Sequence, residues 1–358
     1  MLSVAIDGLA LSDGSQYRGI GTYLRHLLPG LASEFDLTVL ADSSATLPAG
    51  VTRRVVHRRL PQRLRRREHA MRVPGELRRT GASLVHTPAH TPPRPCGLPW
   101  VHTVHDLTPL VFRHPLLDAD RDQWLATGAR LRDANAIVCV SQSTAGQVSR
   151  FFEVDPSRMH VAPLGVTADF SPEGPRRDDG SPYVVWASAW GPHKGLAEAL
   201  ATVAGLADAG LPHRLVLAGR QDAWMARQVA GAVAVSPRPD LVDDIGFVED
   251  MATLYRGADA VIVSSRAEGF GLPALEAMAC GTPVVAFDNT SLPDVLGDAG
   301  VLAPDGDVGE LVAAARSVLV DRTLHDDLAH RGVERARLFT WQRTIDAHAQ
   351  AYRAAAEH

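Results

Sequence analysis

The stretch AVIVSSRAEGFGLPALEAMACGTPVVAF, residues 260–287, decides how the chain is read. AVIVSS (260–265) and TPVVAF (282–287) are short, continuous apolar runs, the pattern of strands buried on both faces of a parallel sheet. Between them, a loop holding Glu268, Gly269, Phe270 and Gly271 leads into a helical pattern over 273–280, with Pro273 suited to the first helical position. Glycines ahead of a helix N-terminus leave backbone N–H groups facing open space, which suits a phosphate. Glu268 in the loop and Glu276 in the helix can both reach one ligand, and a carboxylate that accepts from two vicinal hydroxyls can hold a ribose. The same residues also read as an ordinary strand–turn–helix with a capping glutamate.

The alternation continues in both directions. Strands are expected at 2–7, 37–42, 84–88, 100–106, 136–141 and 160–165, then at 183–188, 214–219, 243–248 and 300–304. Helical patterns fall at 20–34, 118–133, 143–153, 195–209, 221–234, 251–258 and 307–337. Such alternation implies parallel sheets covered on both faces. The segment VTADFSPEGPRRDDGSP (166–182) reads as an exposed linker. The expected architecture is α/β: two doubly wound Rossmann-like domains, 1–165 and 183–338, facing a central cleft. Ligands of such sheets bind at the carboxyl ends of the strands.

The 358 residues suit two domains, and 46% hydrophobic with 22% charged residues is a globular composition. No apolar run is long enough to span a membrane, and the N-terminus lacks the basic stretch of a secretory signal, so a cytoplasmic location is expected. Cys96, Cys139 and Cys280 are widely spaced, which argues against a disulfide framework or a zinc site. Residues 1–165 carry 20 Arg and 14 acids, a balance of +6; residues 166–358 carry 15 Arg, one Lys and 27 acids, a balance of −11.

That one lysine, Lys194, opens a helix after a Gly–Pro turn in VVWASAWGPHKGLAEAL (184–200). A cation there opposes the helix dipole, so an anion such as a diphosphate is its expected partner. Gly19 and Gly21 in YRGIGTYLRHLL (17–28) lie between the first strand and a helix, without the third glycine of a dinucleotide fingerprint. His105 and Asp106 end a strand where a cleft is expected; Asp106 either orients His105 or caps the next turn. The acidic DADRDQW (118–124) reads as a solvated helix start rather than a metal pair, and P-loop, HExxH and nucleophile-elbow motifs are absent.

Together, EGFGLPALEAMACGTPVV, LYRGADAVIVSS before it, SLPDVLGDAGVL after it, RGIGTYLRHLL, VHDLTPL, VSQSTAGQV and the closing FTWQRTIDAHAQAY resemble glycosyltransferase family 4, retaining enzymes of GT-B fold, and mannosyltransferase-like bacterial members in particular. The resemblance implies transfer of a hexose, mannose favoured, from a nucleoside-diphosphate sugar to an acceptor hydroxyl of a glycan, glycolipid or secondary metabolite. Within it, Glu276 holds the ribose, Glu268 the donor sugar, the Gly269–Leu272 backbone (Phe270 and Gly271 included) the sugar and phosphate, and Lys194 the diphosphate. Gly19 lets an acceptor-side loop approach, His105 touches the sugar near the reacting carbon, and the helix over 340–356 crosses back to the first domain. Phe247 is a candidate to pack on the base. One departure is Ala189, where many members carry an arginine.

No metal or cofactor is expected beyond the sugar nucleotide itself. An epimerase of the same fold and a non-catalytic nucleotide-sugar binder are the competing readings. Nucleic acid is not an expected partner, given the negative net charge. Residues 53–79 hold 11 arginines against Glu68 and Glu76, with Leu60, Leu64 and Met71 at near-helical spacing. This predicts a basic helix whose Arg63, Arg65, Arg66 and Arg67 face an acceptor or an anionic membrane, or simply solvent.

Overall fold

The computed structural model describes residues 1–12, 19–56, 65–178 and 180–357; the side chains of residues 65–67 and 70 lie outside that description. The chain forms two units, Met1–Gly165 with Thr340–His358, and Val166–Phe339.

The first unit is built on a seven-stranded parallel sheet. Its strands are β1 (Ser3–Asp7), β2 (Asp36–Ala41), β3 (Val51–Val55), β4 (Leu84–Thr87), β5 (Trp100–Val104), β6 (Ala136–Cys139) and β7 (Met159–Val161), in the order β3-β2-β1-β4-β5-β6-β7. The helices are α1 (Gly19–Leu31), α2 (Arg65–Arg78), α3 (Thr108–Val111), α4 (Asp118–Thr127) and α5 (Gln142–Phe152). In α1, Leu24, Leu27, Leu28 and Leu31 are fully buried, one stripe at helical spacing. Each such burial contributes roughly 2 kcal/mol.

The second unit repeats the plan. Strands β8 (Tyr183–Ala187), β9 (Arg214–Ala218), β10 (Val242–Gly246), β11 (Ala260–Val263), β12 (Val284–Asp288) and β13 (Val301–Pro304) are parallel, in the order β10-β9-β8-β11-β12-β13. They carry α6 (Leu196–Asp208), α7 (Ala223–Ala234), α8 (Met251–Gly257), α9 (Leu272–Ala279), α10 (Leu292–Leu296), α11 (Val308–Val320) and α12 (Arg322–Ala336). The last helix, α13 (Trp341–Ala356), returns to the first unit, where Ala349, Ala351, Tyr352 and Ala355 are buried.

Four expectations are corrected. The edge strand β3 reads VTRRV, exposed and charged rather than apolar, and was not anticipated. The single helix expected over 307–337 is two, because Asp321 accepts from Leu324 N and caps a new start. The last expected strand of the first unit ends at Val161 rather than at residue 165. The segment 166–182 is no free linker: it belongs to the second unit, where buried Arg256 donates to the carbonyls of Asp169, Ser171 and Pro175, at 3.4, 3.1 and 2.7 Å.

Candidate active site

In the second sheet the strand order reverses between β8 and β11, so the loops leaving these neighbours diverge and open a crevice. The loop after β8 carries Lys194; the loop after β11 carries Glu268. Lys194 Nζ donates to both carboxylate oxygens of Glu268, at 2.7 and 2.8 Å. Both side chains are largely buried, 22% and 12% exposed. The lysine that opposes the dipole of α6 is therefore neutralised within the chain, a partner 74 positions away.

The two loops are locked together by backbone. Gly195 caps α6 at φ 69°, and a Cβ there would lie 1.8 Å from the carbonyl oxygen of Ser264. No other residue fits at that crossing. Ser264 Oγ donates to Gly195 O at 2.6 Å, and Arg266 N to His193 O at 2.8 Å. Gly271, at φ 101°, starts α9, one residue ahead of the expected helix, so that Pro273 is its second residue.

The loop after β12 supplies supports that the sequence reading missed. Thr290 Oγ1 accepts from Glu268 N at 2.9 Å, and Ser291 Oγ donates to the carbonyls of Glu268 and Phe270, at 3.1 and 2.8 Å. Thr290 itself takes a left-handed φ of 44°. Ser291 opens SLPDVLGDAGVL and Thr290 precedes it, but neither was singled out as a support of the Glu268 loop.

Glu276 lies on α9, half-buried, accepting a 3.2 Å hydrogen bond from the hydroxyl of fully buried Tyr255. Burial raises its carboxyl to about 7, against the lowering effect of the Tyr255 hydroxyl. A ligand hydroxyl that donates to it would favour the charged form.

At the carboxyl ends of β8, β9 and β10 lies an aromatic group. Phe247 is 57% exposed, with the Arg220 guanidinium 5.6 Å from its ring centroid. Trp190, beside Ala189, meets Trp224 edge-on at 5.1 Å. Arg220, Trp190 and Trp224 were not singled out as ligand contacts from the sequence. An apolar pair thus stands next to the position where a second cation was expected.

The remaining candidates belong to the first unit. His105 follows β5, half-buried, with the ring of Tyr23 edge-on at 4.8 Å. Its Nε2 makes no hydrogen bond among the described residues. Burial lowers it to about 4, Asp106 acting in the opposite sense. Asp106 Oδ1 accepts from Thr108 N at 3.0 Å and so caps the next turn. Gly19 opens α1, and a Cβ there would meet nothing within 4 Å among the described residues; Gly21 is buried. Arg63 lies outside the described residues. Arg65, Arg66 and Arg67 begin α2, and their side chains also lie outside the description. In the same region Arg54 and Arg79 pair with Glu76, Arg72 pairs with Glu68, and Met71 is 69% exposed. Among the described residues no three His, Cys, Asp or Glu side chains form a metal-binding group.

Known proteins match along the chain. Residues 17–170 match the family model Glycosyltransferase Family 4, and residues 181–321 match Glycosyl transferases group 1. An O-antigen chain mannosyltransferase B of Escherichia coli is 29% identical over 71% of this chain and 70% of its own length. A D-inositol 3-phosphate glycosyltransferase of Actinosynnema mirum is 31% identical over 72% of this chain and 67% of its own length. For three further D-inositol 3-phosphate glycosyltransferases the match spans 62–65% of their length. The structure of a sucrose-phosphate synthase from Thermosynechococcus elongatus superposes with a TM-score of 0.82 at 21% identity, covering 99% of this chain and 98% of that one.

Proposed function

This chain belongs to glycosyltransferase family 4 and is a hexosyltransferase of GT-B fold, and from that premise we propose that it moves mannose from a nucleoside diphosphate to an acceptor hydroxyl, with retention of configuration. The observation that supports the donor assignment is the Lys194–Glu268 pair at the β8–β11 reversal, with Glu276 on the helix that follows the same loop. The acceptor is a hydroxyl of a glycan, glycolipid or secondary metabolite.

In this reading Lys194 keeps one N–H on Glu268 and turns another to the β-phosphate. Glu276, ionised, accepts from the ribose hydroxyls. Glu268 accepts from hydroxyls of the hexose, and the N–H groups of residues 269–272 meet sugar and phosphate at the start of α9. Phe247 packs on the base. His105, neutral at pH 7, touches the sugar beside the reacting carbon, and Gly19, without a side chain, lets the acceptor-side loop approach.

The anomeric carbon–oxygen bond to the phosphate breaks while a bond to the acceptor oxygen forms on the same face. The acceptor proton passes to the departing phosphate oxygen. Negative charge grows on that oxygen, where Lys194 and the backbone N–H groups stabilise the transition state more than the ground state. With lysine in this role, the transfer proceeds without a metal. Among the described residues no helix is long and apolar enough to cross a membrane. A cytoplasmic enzyme touching anionic lipid through the arginines of 53–79 fits the charge pattern.

A panel of nucleotide sugars scored by thermal shift tests the donor assignment. A donor at 100 times its dissociation constant adds about 2.7 kcal/mol of stability. GDP-mannose is expected to shift the transition most. No shift with any nucleoside-diphosphate sugar would remove the reading.

A further inference from the structure

Behind His105 a chain of hydrogen bonds runs from α13 through the sheet to α1. The His348 Nδ1–H donates to the carbonyl of Thr344 at 2.7 Å, since a carbonyl only accepts. In a neutral ring Nε2 is then an acceptor, so the Tyr23 hydroxyl donates to it at 2.6 Å. With that proton spent, the Thr103 hydroxyl donates to Tyr23 at 3.0 Å. His86 Nε2–H in turn donates to Thr103 at 2.8 Å, and the Tyr352 hydroxyl donates to His86 Nδ1 at 2.7 Å. The Thr103 hydroxyl also lies 3.5 Å from His348 Nε2, a longer contact; in the arrangement above each link carries one proton, every link is buried, and both ends are residues of α13. The chain closes only with both imidazoles neutral, the state that their burial favours.

Tyr23 is the one member of this chain in ring contact with His105, edge-on at 4.8 Å. The His105 Nε2 makes no hydrogen bond among the described residues, so packing rather than a polar partner fixes that end of the ring. A tyrosine held at its hydroxyl by two directed bonds presents its ring edge at one angle. Released, it would turn about its side-chain bonds and the imidazole with it. We propose that α13, through His348 and Tyr352, positions Tyr23 and thereby sets the orientation of His105 for turnover. This rests on the reading of His105 as a group that touches the donor sugar.

The test uses the full chain and measures release of GDP from GDP-mannose without acceptor, with turnover expressed per bound nucleotide so that misfolded protein does not count. His105→Ala, the control on the underlying reading, is expected to lower kcat at least tenfold. Tyr23→Leu and His348→Leu are expected to lower kcat about fivefold to tenfold, with the donor KM within twofold of the parent. His348→Gln, which keeps an acceptor near Nε2, is expected to recover most of that loss, whereas Tyr23→Phe, which keeps the ring but frees it from His348 and Thr103, is expected to lose about as much as the leucine variants. If His105→Ala lowers kcat while both leucine variants turn over like the parent, the positioning role is wrong and the His105 reading stands. If His105→Ala itself leaves kcat unchanged, the His105 reading fails and takes the positioning role with it. Should the leucine variants not fold, Tyr23→Phe and His348→Gln decide: parental kcat in Tyr23→Phe, or a tenfold loss in His348→Gln, overturns the proposal.

Discussion

The first unit's sheet leads into a neutral imidazole, His105, backed by two more held neutral by burial, whereas the second unit's sheet leads into a lysine and two glutamates. The strand orders match from edge to edge, β3-β2-β1-β4-β5-β6 against β10-β9-β8-β11-β12-β13, with β7 as an extra strand in the first unit. The scaffold therefore does not set the difference; the residues leaving the strand ends do. A phosphate needs charge to replace its hydration. In the proposed reading the second unit keeps such a charge ready in Lys194, which rests on Glu268. A hydroxyl needs only a directed donor or acceptor, and a desolvated histidine provides one without net charge.

The largest break in this comparison comes from Lys194→Ala. It removes the cation proposed for the phosphate and leaves the largely buried Glu268 without its counter-charge. With charge-assisted bonds worth roughly 1.5–3 kcal/mol each, kcat/KM is expected to fall on the order of a hundredfold. A variant with parental kinetics would show that the ion pair is only structural.

Opposite responses to pH sharpen the contrast. His102, His105 and His348 lie at about 3, 4 and 4 in the folded protein, against 6.5 unfolded. The stability they leave intact is complete above pH 6.5 and is lost as pH falls toward 4, because the unfolded chain binds those protons first. Glu276 runs the other way. Its folded value of about 7 against 4.5 means that its contribution is present below pH 4.5 and is lost as pH rises through 7. Hydrogen exchange by peptide, corrected for intrinsic rate, is expected to show residues 341–356 losing protection by about tenfold or more between pH 7.5 and 5. Residues 272–279 are expected to gain protection over the same change.

Donor affinity provides a gentler test. If the ribose binds ionised Glu276, affinity rises about tenfold from pH 6 to 8, the span over which a group titrating near 7 loses its proton. Glu276→Gln is expected to bind donor about tenfold more weakly at pH 8 and to flatten that profile. Calorimetry at three pH values measures both. An unchanged profile in the variant would assign the ribose elsewhere.

The smallest expected effect is none. Turnover is expected to be unchanged in EDTA, since lysine and backbone N–H groups meet the phosphate charge. Loss of activity restored by manganese would overturn this.

Much of the fold was legible because its signals are local. Apolar runs, helical spacing and turn residues marked twelve of the thirteen strands among the described residues. The missed one, β3, is an edge strand whose arginines protect it from further pairing and hide its periodicity. Within the candidate site, Lys194 stood out as the chain's single lysine, and Glu268 and Glu276 by their place around a helix start. Thr290, Ser291, Tyr255 and Tyr23 gave no such signal. Their roles come from what lies across from them, not from their neighbours in sequence.

The sequence by itself therefore determined the two α/β units, the family, and which residues stand at the strand ends of the donor side. Those facts follow from short-range periodicity and from motifs a few residues long. Only the tertiary structure decided that Lys194 rests on Glu268, 74 positions away, and that Tyr23 meets His348 across 325 positions. It likewise decided that burial raises Glu276 to about 7, against the hydrogen bond from Tyr255. Each of these depends on which strands become neighbours and on how much water is excluded there. Crossover connections settle both, and no local stretch of sequence encodes them.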